Sequence, residues 1–424
     1  MDALESDRLV DIRTADGLRT NNLVHQLRQD GTDQWLYMAH SRPDYNPDVP
    51  ACQDLRITLQ GEFGVLHYDT ETGDIRPMAS TVENGKTVVR VKLWDLQSLL
   101  LRYTDRASVP QVAPEAPAAK GTPIPVPALV DYRLEEPNVL LLDKAEFAID
   151  DRPYEPKQEL LRADNVMRAQ LGWINRTGKV CQPWAIPEEK IEHTMHLRFT
   201  VQAAMDIENV KLATEDAALA EVKLNGQLIT AKPDGWFCDK AIGTILLGKL
   251  QKGENIIELA LPFGKRIGAE WCYLLGDFGV HVMGQTRVLV PMQEKLGFDT
   301  VTVQGLAHYG SNITYRIPVT THGGKLRVHV PHYAGAAVKV KAGQAEGAIV
   351  YPPYVTELTL PAGDHTLELT LLGNRENCFG SVHNADPTHI RIRPSSYRFE
   401  GNAWTESYRL KPLGILSAPN LEEI

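Results

Sequence analysis

Two carboxylates stand among aromatic residues in the segment GAEWCYLLGDFG, residues 268–279: Glu270 and Asp277. A pair of carboxyl groups, one protonated and one ionised, can cleave a glycosidic bond when the two face each other ~5 to 10 Å apart across the sugar. The same text also fits a buried strand, CYLLG, with an acid in the turn at each end. With 54 acidic residues in the chain, such pairs arise freely. Asp277-Phe278-Gly279 spells a kinase metal motif, but no glycine-rich loop or H-R-D loop accompanies it. A second segment, CFGSVHN, residues 378–384, brings Cys378, Ser381 and His383 close in sequence. A nucleophile needs a base within reach and a third group to orient it, which closeness along one segment does not supply. No G-x-S-x-G elbow, H-E-x-x-H helix or C-x-x-C pair occurs. The residues therefore nominate no cofactor and no metal centre. The five cysteines, Cys52, Cys181, Cys238, Cys272 and Cys378, read as free, packed thiols.

The other residues with a chemical use are aromatic and planar polar side chains in turns. Sugars are recognised by aromatic faces against their C–H groups together with a few well-placed hydrogen-bonding side chains. Trp236 lies in DGWFCD, Tyr309 in LAHYGSN, His332 and Tyr333 in VPHYAG, Tyr354 in VYPPYV, and Asn377 and His383 in GNRENCFGSVHN. These seven are the expected carbohydrate contacts. The competing expectation is that their rings fill the edges between packed layers, as Trp404 in EGNAWTES also could.

The elements that must carry these loops are strands. Leu55, Ile57 and Leu59 alternate with polar residues, as do Met195, Leu197, Phe199 and Val201, and Leu326, Val328 and Val330. Period-two alternation of this kind marks half-buried antiparallel strands. Turn dipeptides recur between them, among them Asn84-Gly85, Asn225-Gly226 and Gly323-Gly324. One stretch, residues 157–171, has helix-forming composition with Leu160, Leu161, Met167 and Leu171, and predicts a single short helix. Residues 105–127 are rich in proline and alanine and predict a semi-extended linker without a ladder. Beyond it lies a repeat: LQKGENIIELAL, residues 250–261, aligns without gaps on LPAGDHTLELTL, residues 360–371. A period of 110 residues suits a duplicated sandwich rather than a solenoid. The expected architecture is all-β, with three β-sandwich domains in tandem: 1–104, then 128–296 and 297–424 after the linker.

A net charge of −10 disfavours nucleic acid or an anionic membrane as partner. No apolar run approaches the ~20 residues of a membrane span, and no signal-peptide core follows Met1. The reading is of a soluble chain with no assigned compartment.

The L-N-G hairpin (Leu224 to Gly226), the segment GWFCD (residues 235–239) and the strand Leu250 to Leu259 resemble galactose-binding-like jelly rolls of large multidomain glycoside hydrolases. That group includes the sugar-binding domain of family 2 enzymes and the accessory domains of family 106 α-L-rhamnosidases. The opening domain, with QWLYMAH (residues 34–40) and the turn Tyr68-Asp69-Thr-Glu-Thr72-Gly73, resembles the small sandwich that follows the catalytic barrel in such enzymes. The resemblance implies two galactose-binding-like jelly rolls and a non-catalytic, carbohydrate-binding or structural accessory region of a polysaccharide-degrading enzyme. Its implied partners are an oligosaccharide or polysaccharide and a catalytic glycoside hydrolase domain. It also implies a structural calcium, with Asp150-Asp151 or the Asp364 turn as oxygen donors. The alternatives are a glycoside hydrolase with carboxylates in an inter-domain cleft, and a structural or assembly module without a sugar site. Limited proteolysis is expected to cut first between Ala107 and Pro127, because a proline-rich segment exposes unprotected backbone. Early cuts inside 250–261 or 360–371, with 107–127 intact on peptide mapping, would refute the division.

Overall fold

The computed structural model describes residues 7–41, 52–114, 119–176, 186–187, 190–386, 396–397 and 400–424. Nearly every regular element among them is a strand, and every pairing of named strands but one is antiparallel. The protein is an all-β chain of sandwich type, as the alternation predicts.

Two sheets make the first sandwich. One runs in the order Val10–Thr14, Cys52–Gln60, Lys86–Trp94, Ser80–Glu83. The other runs Leu23–Asp30, Asp33–His40, Ser98–Asp105, Phe63–Tyr68, Ile75–Pro77. Leu55, Ile57 and Leu59 face Leu36, Met38, Leu99 and Leu101 in one core. The Asn84-Gly85 turn takes positive φ at both residues (53° and 73°), the twist that lets Glu83 pair with Lys86 in a tight hairpin.

The second sandwich sets the sheet Asn138–Leu142, Cys272–Gly276, Ile207–Glu215, Asp239–Leu250, Trp236–Phe237 against one built around His193–Ala203 and Gly253–Phe263. The first of these sheets is covered on both sides. Leu140, Leu212 and Leu274 face the partner sheet, while Val139, Ala213 and Tyr273 lie under Cys378, Val382 and Tyr408 from the C-terminal part of the chain. That double cover explains why VLLL and CYLL are unbroken apolar runs rather than alternating ones.

A helix, α1 (Leu160–Gln170), closes one end of this sandwich. It starts three residues later than its composition predicts, because Glu155–Glu159 is drawn into a ladder with Lys144–Ile149. The Glu159 carboxyl then caps the helix, accepting from the Leu161 and Arg162 amides at 3.1 and 3.2 Å.

The third sandwich packs Val338–Ala342, Gly363–Leu371 and Ile313–Thr321 over Gly324–His329 and Val355–Leu360. Two strands come to it from before the second sandwich. Leu129–Leu134, placed by the sequence reading with residues 128–296, pairs instead with Ile313–Thr321. Thr122–Ile124, inside the proline-rich stretch expected to form no ladder, pairs with Asn420–Glu423. It sits outermost in its sheet, where the missing amide of Pro123 is tolerated.

The repeat marks equivalent strands of the two sandwiches. Leu259 and Leu369 are buried at 1% and 0% exposure, whereas Glu258 and Glu368 point outward. Each glutamate meets an arginine directly opposite it on the neighbouring strand: Arg198 at 3.5 Å and Arg316 at 3.4 Å. Leu259→Ala and Leu369→Ala are expected to destabilise the protein by ~2–5 kcal/mol each. Glu258→Gln and Glu368→Gln should cost under ~1 kcal/mol, the scale of an exposed cross-strand pair. Denaturant midpoints would show it, and costlier glutamate variants would refute the assigned faces.

Candidate functional site

Three of the seven expected sugar contacts are interior residues, and the expectation is corrected for them. Tyr309, Asn377 and His383 are 1%, 2% and 3% exposed. The Tyr309 hydroxyl donates to the Asn312 carbonyl at 2.9 Å and accepts from the Glu135 and Glu136 amides. Asn377 bridges the backbone of Lys411 through both its amide atoms. His383 places Nε2 2.7 Å from Asp143 and Nδ1 2.9 Å from the Thr405 carbonyl. Side chains with almost no solvent-facing surface cannot meet a sugar.

Nor do the residues of CFGSVHN form a nucleophile and base. Cys378 lies in the short helix α2 (Glu376–Phe379), and burial pushes its thiol well up. The Ser381 hydroxyl donates to the Ser396 carbonyl at 2.6 Å.

The other four keep exposed surface. Trp236 is 56% exposed on the edge strand of the second sandwich. On the third, Tyr333 and Tyr354 meet edge-on at 5.4 Å, half-buried, with the Tyr333 hydroxyl donating to the Val350 carbonyl and pushed up to about 12 by burial. His332 is half-buried next to Tyr333.

Glu270 and Asp277 flank the strand Cys272–Gly276, one at each end. Four steps of ~3.3 Å put the ends of that strand ~13 Å apart, beyond the ~5 to 10 Å of a glycosidase pair. Asp277 borders a hollow of about 520 Å³ between the second and third sandwiches, lined also by Tyr132, Glu135, Glu136 and Glu294. Two of its acids are engaged: Glu136 with Arg375 at 2.5 Å, and Glu135 with the Asn312 amide at 2.5 Å.

Glu270 belongs to a different group, built by α1. The buried Asp164–Arg168 pair (2.9 Å) anchors the helix to the loop before Cys272, through Arg168 to the Ile267 carbonyl and the Ala269 amide to Asp164. The next residue, Asn165, grips the backbone of Arg176 at both N–H and C=O. A Cβ on Gly268 would collide with the Arg176 guanidinium, so glycine there lets that group reach Glu270 at 2.7 Å.

Next in the chain, Trp271 donates its indole N–H to Glu159 at 2.6 Å. Burial, aided by the charge of Asp143, pushes the Glu159 carboxyl up to about 7, even though Trp271 and two amides donate to it. Glu215 ends the strand paired with Cys272–Gly276 and continues that register toward Trp271. Crowding by protein, then repulsion from Glu270, pushes it up to about 7 as well. Its side chain reaches solvent, so the sealed Glu159 is the firmer case.

Glu159, Glu215, Arg176 and Asp143 belong to no motif in the sequence. Only Asp143 carried a local signal, an acid set inside the apolar run VLLLDKAEFAI.

Among the described residues no group of three or more His, Cys, Asp or Glu side chains is arranged to hold a metal ion. Of the donors considered for calcium, Asp150 accepts from His193 and the Thr194 amide, and Asp364 from the Thr320 hydroxyl. The described cysteines, Cys52, Cys238, Cys272 and Cys378, are free thiols, and Cys181 lies outside the described residues. No described helix is long and apolar enough to cross a membrane.

Fold and site together define an all-β, multi-sandwich protein with aromatic surface positions and one structured carboxylate group. No family model matches the chain, and no curated protein matches it in sequence. Among solved structures it is similar to a rhamnosidase from Novosphingobium sp. PP1Y (15% identity, TM-score 0.23, 62% of this chain and 21% of that one). A β-D-mannosidase from Dictyoglomus thermophilum gives 15% identity and TM-score 0.22 over 56% of this chain and 31% of that one. A Paenibacillus xanthan lyase gives 10% and 0.15 over 98% and 36%. The chain thus spans about a fifth to just over a third of these structures. At such scores the overlap assigns no residue here a role.

The carboxylates set opposing pH slopes on stability. A Glu159 carboxyl that holds its proton in the fold up to about 7, but only to the ordinary 4.5 when unfolded, adds stability as pH falls from about 7 toward 4.5. The full effect is about 3 kcal/mol, at ~1.4 kcal/mol per pKa unit. Asp143 acts oppositely. Burial would raise its carboxyl, but Arg287 and then His383 hold it below the usual range. Its contribution is complete above about 4 and is lost as pH falls below that. Urea titrations from pH 4.5 to 8 should show Glu159→Gln with a flatter slope than the parent. An unchanged slope would refute a sealed, protonated Glu159.

Proposed function

We propose that this chain is a non-catalytic accessory region of a glycoside hydrolase, which binds carbohydrate on its sandwich surfaces and braces a catalytic domain. The observation that carries this reading is the strand Cys272–Gly276, which holds Glu270 and Asp277 at its two ends instead of across a sugar. Glu270 is itself paired with Arg176, and Glu136, beside Asp277, with Arg375. Aromatic rings, by contrast, keep solvent-facing area at Trp236, Tyr333 and Tyr354. Side chains of that type on rigid sheets suit a ligand with C–H faces and hydroxyls.

One observation favours the second reading, a hydrolase in its own right. Glu215, raised to about 7, stands near Glu270, which Arg176 partners. A raised carboxyl close to a second carboxylate held by an arginine is the arrangement an acid–base pair requires. The accessory reading expects no turnover of nitrophenyl glycosides by the intact chain, and binding to at least one polysaccharide on a glycan array. Turnover abolished by Glu215→Gln or Glu270→Gln, with the melting temperature preserved, would replace it with the hydrolase. Neither binding nor turnover would leave the structural module.

A further inference from the structure

The first sandwich, which contributes none of the expected site residues, has an aromatic outer face. In the sheet ordered Leu23–Asp30, Asp33–His40, Ser98–Asp105, Phe63–Tyr68, Ile75–Pro77, the buried Leu36, Met38, Leu99, Leu101 and Val65 point inward. Strand alternation sends the residues between them outward. The register then lines up Tyr37, Leu100, Tyr68 and Ile75 in one row across four strands. The adjacent row holds Trp35, Arg102, Leu66 and Pro77. Tyr37 is 43% exposed, Ile75 54% and, a row further on, Val24 53%, while Trp35, Leu66, Tyr68 and Leu100 between them are half-buried.

The rings are held in place. Asp33 takes the Arg102 guanidinium at 2.5 and 2.8 Å and the Thr104 hydroxyl at 2.6 Å. Arg102 in turn lies 5.5 Å from the Trp35 ring and donates to the Tyr68 hydroxyl at 3.3 Å. Trp35 and Tyr68 meet edge-on at 4.9 Å. The central cation is thereby neutralised, and the polar groups between the rings are fixed donors and acceptors.

We infer that this face is a binding platform for a linear glycan chain, whose C–H surfaces lie on Tyr37, Trp35 and Tyr68 while its hydroxyls meet Gln26, Arg102 and Ser98. Gln26 pairs with Tyr37 and carries the row onto a fifth strand, so four spacings of ~4.8 Å give the platform a length of ~19 Å, and three rows give an area of roughly 400 Å². A second copy of the chain as occupant would need about 800 Å² from each partner. A patch of this size on a monomer is commonly functional. A glycan covers a narrow strip, and rings interleaved with hydrogen-bonding groups match its alternation of apolar faces and hydroxyls. The inference rests on the carbohydrate-binding reading and locates its site.

The intact chain would be run in affinity gels containing hydroxyethyl cellulose, arabinoxylan or galactomannan, with Tyr37→Ala, Tyr37→Phe and, on the second sandwich, Leu228→Ala beside it. Retardation by at least one polymer is expected, weakened about tenfold by Tyr37→Ala. Tyr37→Phe and Leu228→Ala should keep it, and 0.5 M salt should leave it unchanged because the central charge is paired. Retardation that survives Tyr37→Ala, or that salt abolishes, would overturn the platform while leaving carbohydrate binding in place. No retardation by any polymer, joined to an empty glycan array, would overturn both. A dimer in sedimentation velocity that Tyr37→Ala dissolves would give the face to a second copy instead.

Discussion

Asp143 is the point on which the second sandwich and the C-terminal part of the chain depend. It lies where the chain leaves the strand Asn138–Leu142 in one sheet and enters Lys144–Ile149 in the other. Its side chain is fully buried, and three groups converge on it: Arg287 at 2.9 Å, the Tyr408 hydroxyl at 2.6 Å and His383 at 2.7 Å. Its carbonyl accepts from the Leu160 amide and so fixes the start of α1. The second nitrogen of His383 lies 2.9 Å from the Thr405 carbonyl, so both ring nitrogens are engaged. Removing one member of so closed a group leaves a buried charge without its partner, which typically costs 3–5 kcal/mol.

The same polar seam joins the second and third sandwiches. Arg287 and His383 each lie against the ring of Tyr408, and His308 meets it edge-on at 5.6 Å. Asn138 donates to the carbonyls of Phe278 and Gly305, and Tyr309 secures the turn at Glu135 and Glu136 through which the chain passes from the third sandwich into the second. Because Leu129–Leu134 belongs to the third sandwich and Asn138–Leu142 to the second, the two bodies are laced together rather than strung in series. Polar residues that look like ligand contacts in the sequence are spent on this lacing.

What remains for a ligand are the outer faces. Sandwich sheets are rigid, and alternation sends every second residue outward at fixed spacing, so a row of rings across a sheet is already ordered before anything binds. In the first sandwich Asp33 adds to this by orienting Arg102 and, through it, two rings. In the second, α1 positions Arg176 against Glu270 in the same manner.

The sequence by itself determined the local and periodic features. Alternation of period two at Leu55–Leu59 and Met195–Val201 marked strands and their buried faces, because each residue's side is set by its neighbours two positions away. Asn84-Gly85 and Asn225-Gly226 marked hairpins because few other pairs accept positive φ twice in succession. The helix was legible to within three residues, its start being moved by a ladder with a neighbouring strand. Only the tertiary structure decided which loops are covered. Tyr309, Asn377 and His383 have the composition of a sugar site, and whether such rings face water depends on segments far away in the chain. His383 lies 240 residues from Asp143, and Tyr408 lies 265 from it. The partner of Leu129–Leu134 and the row of rings running through Tyr37 and Tyr68 are likewise products of strand register. Pairing between strands distant in sequence is chosen by the whole core, and no local spacing records it.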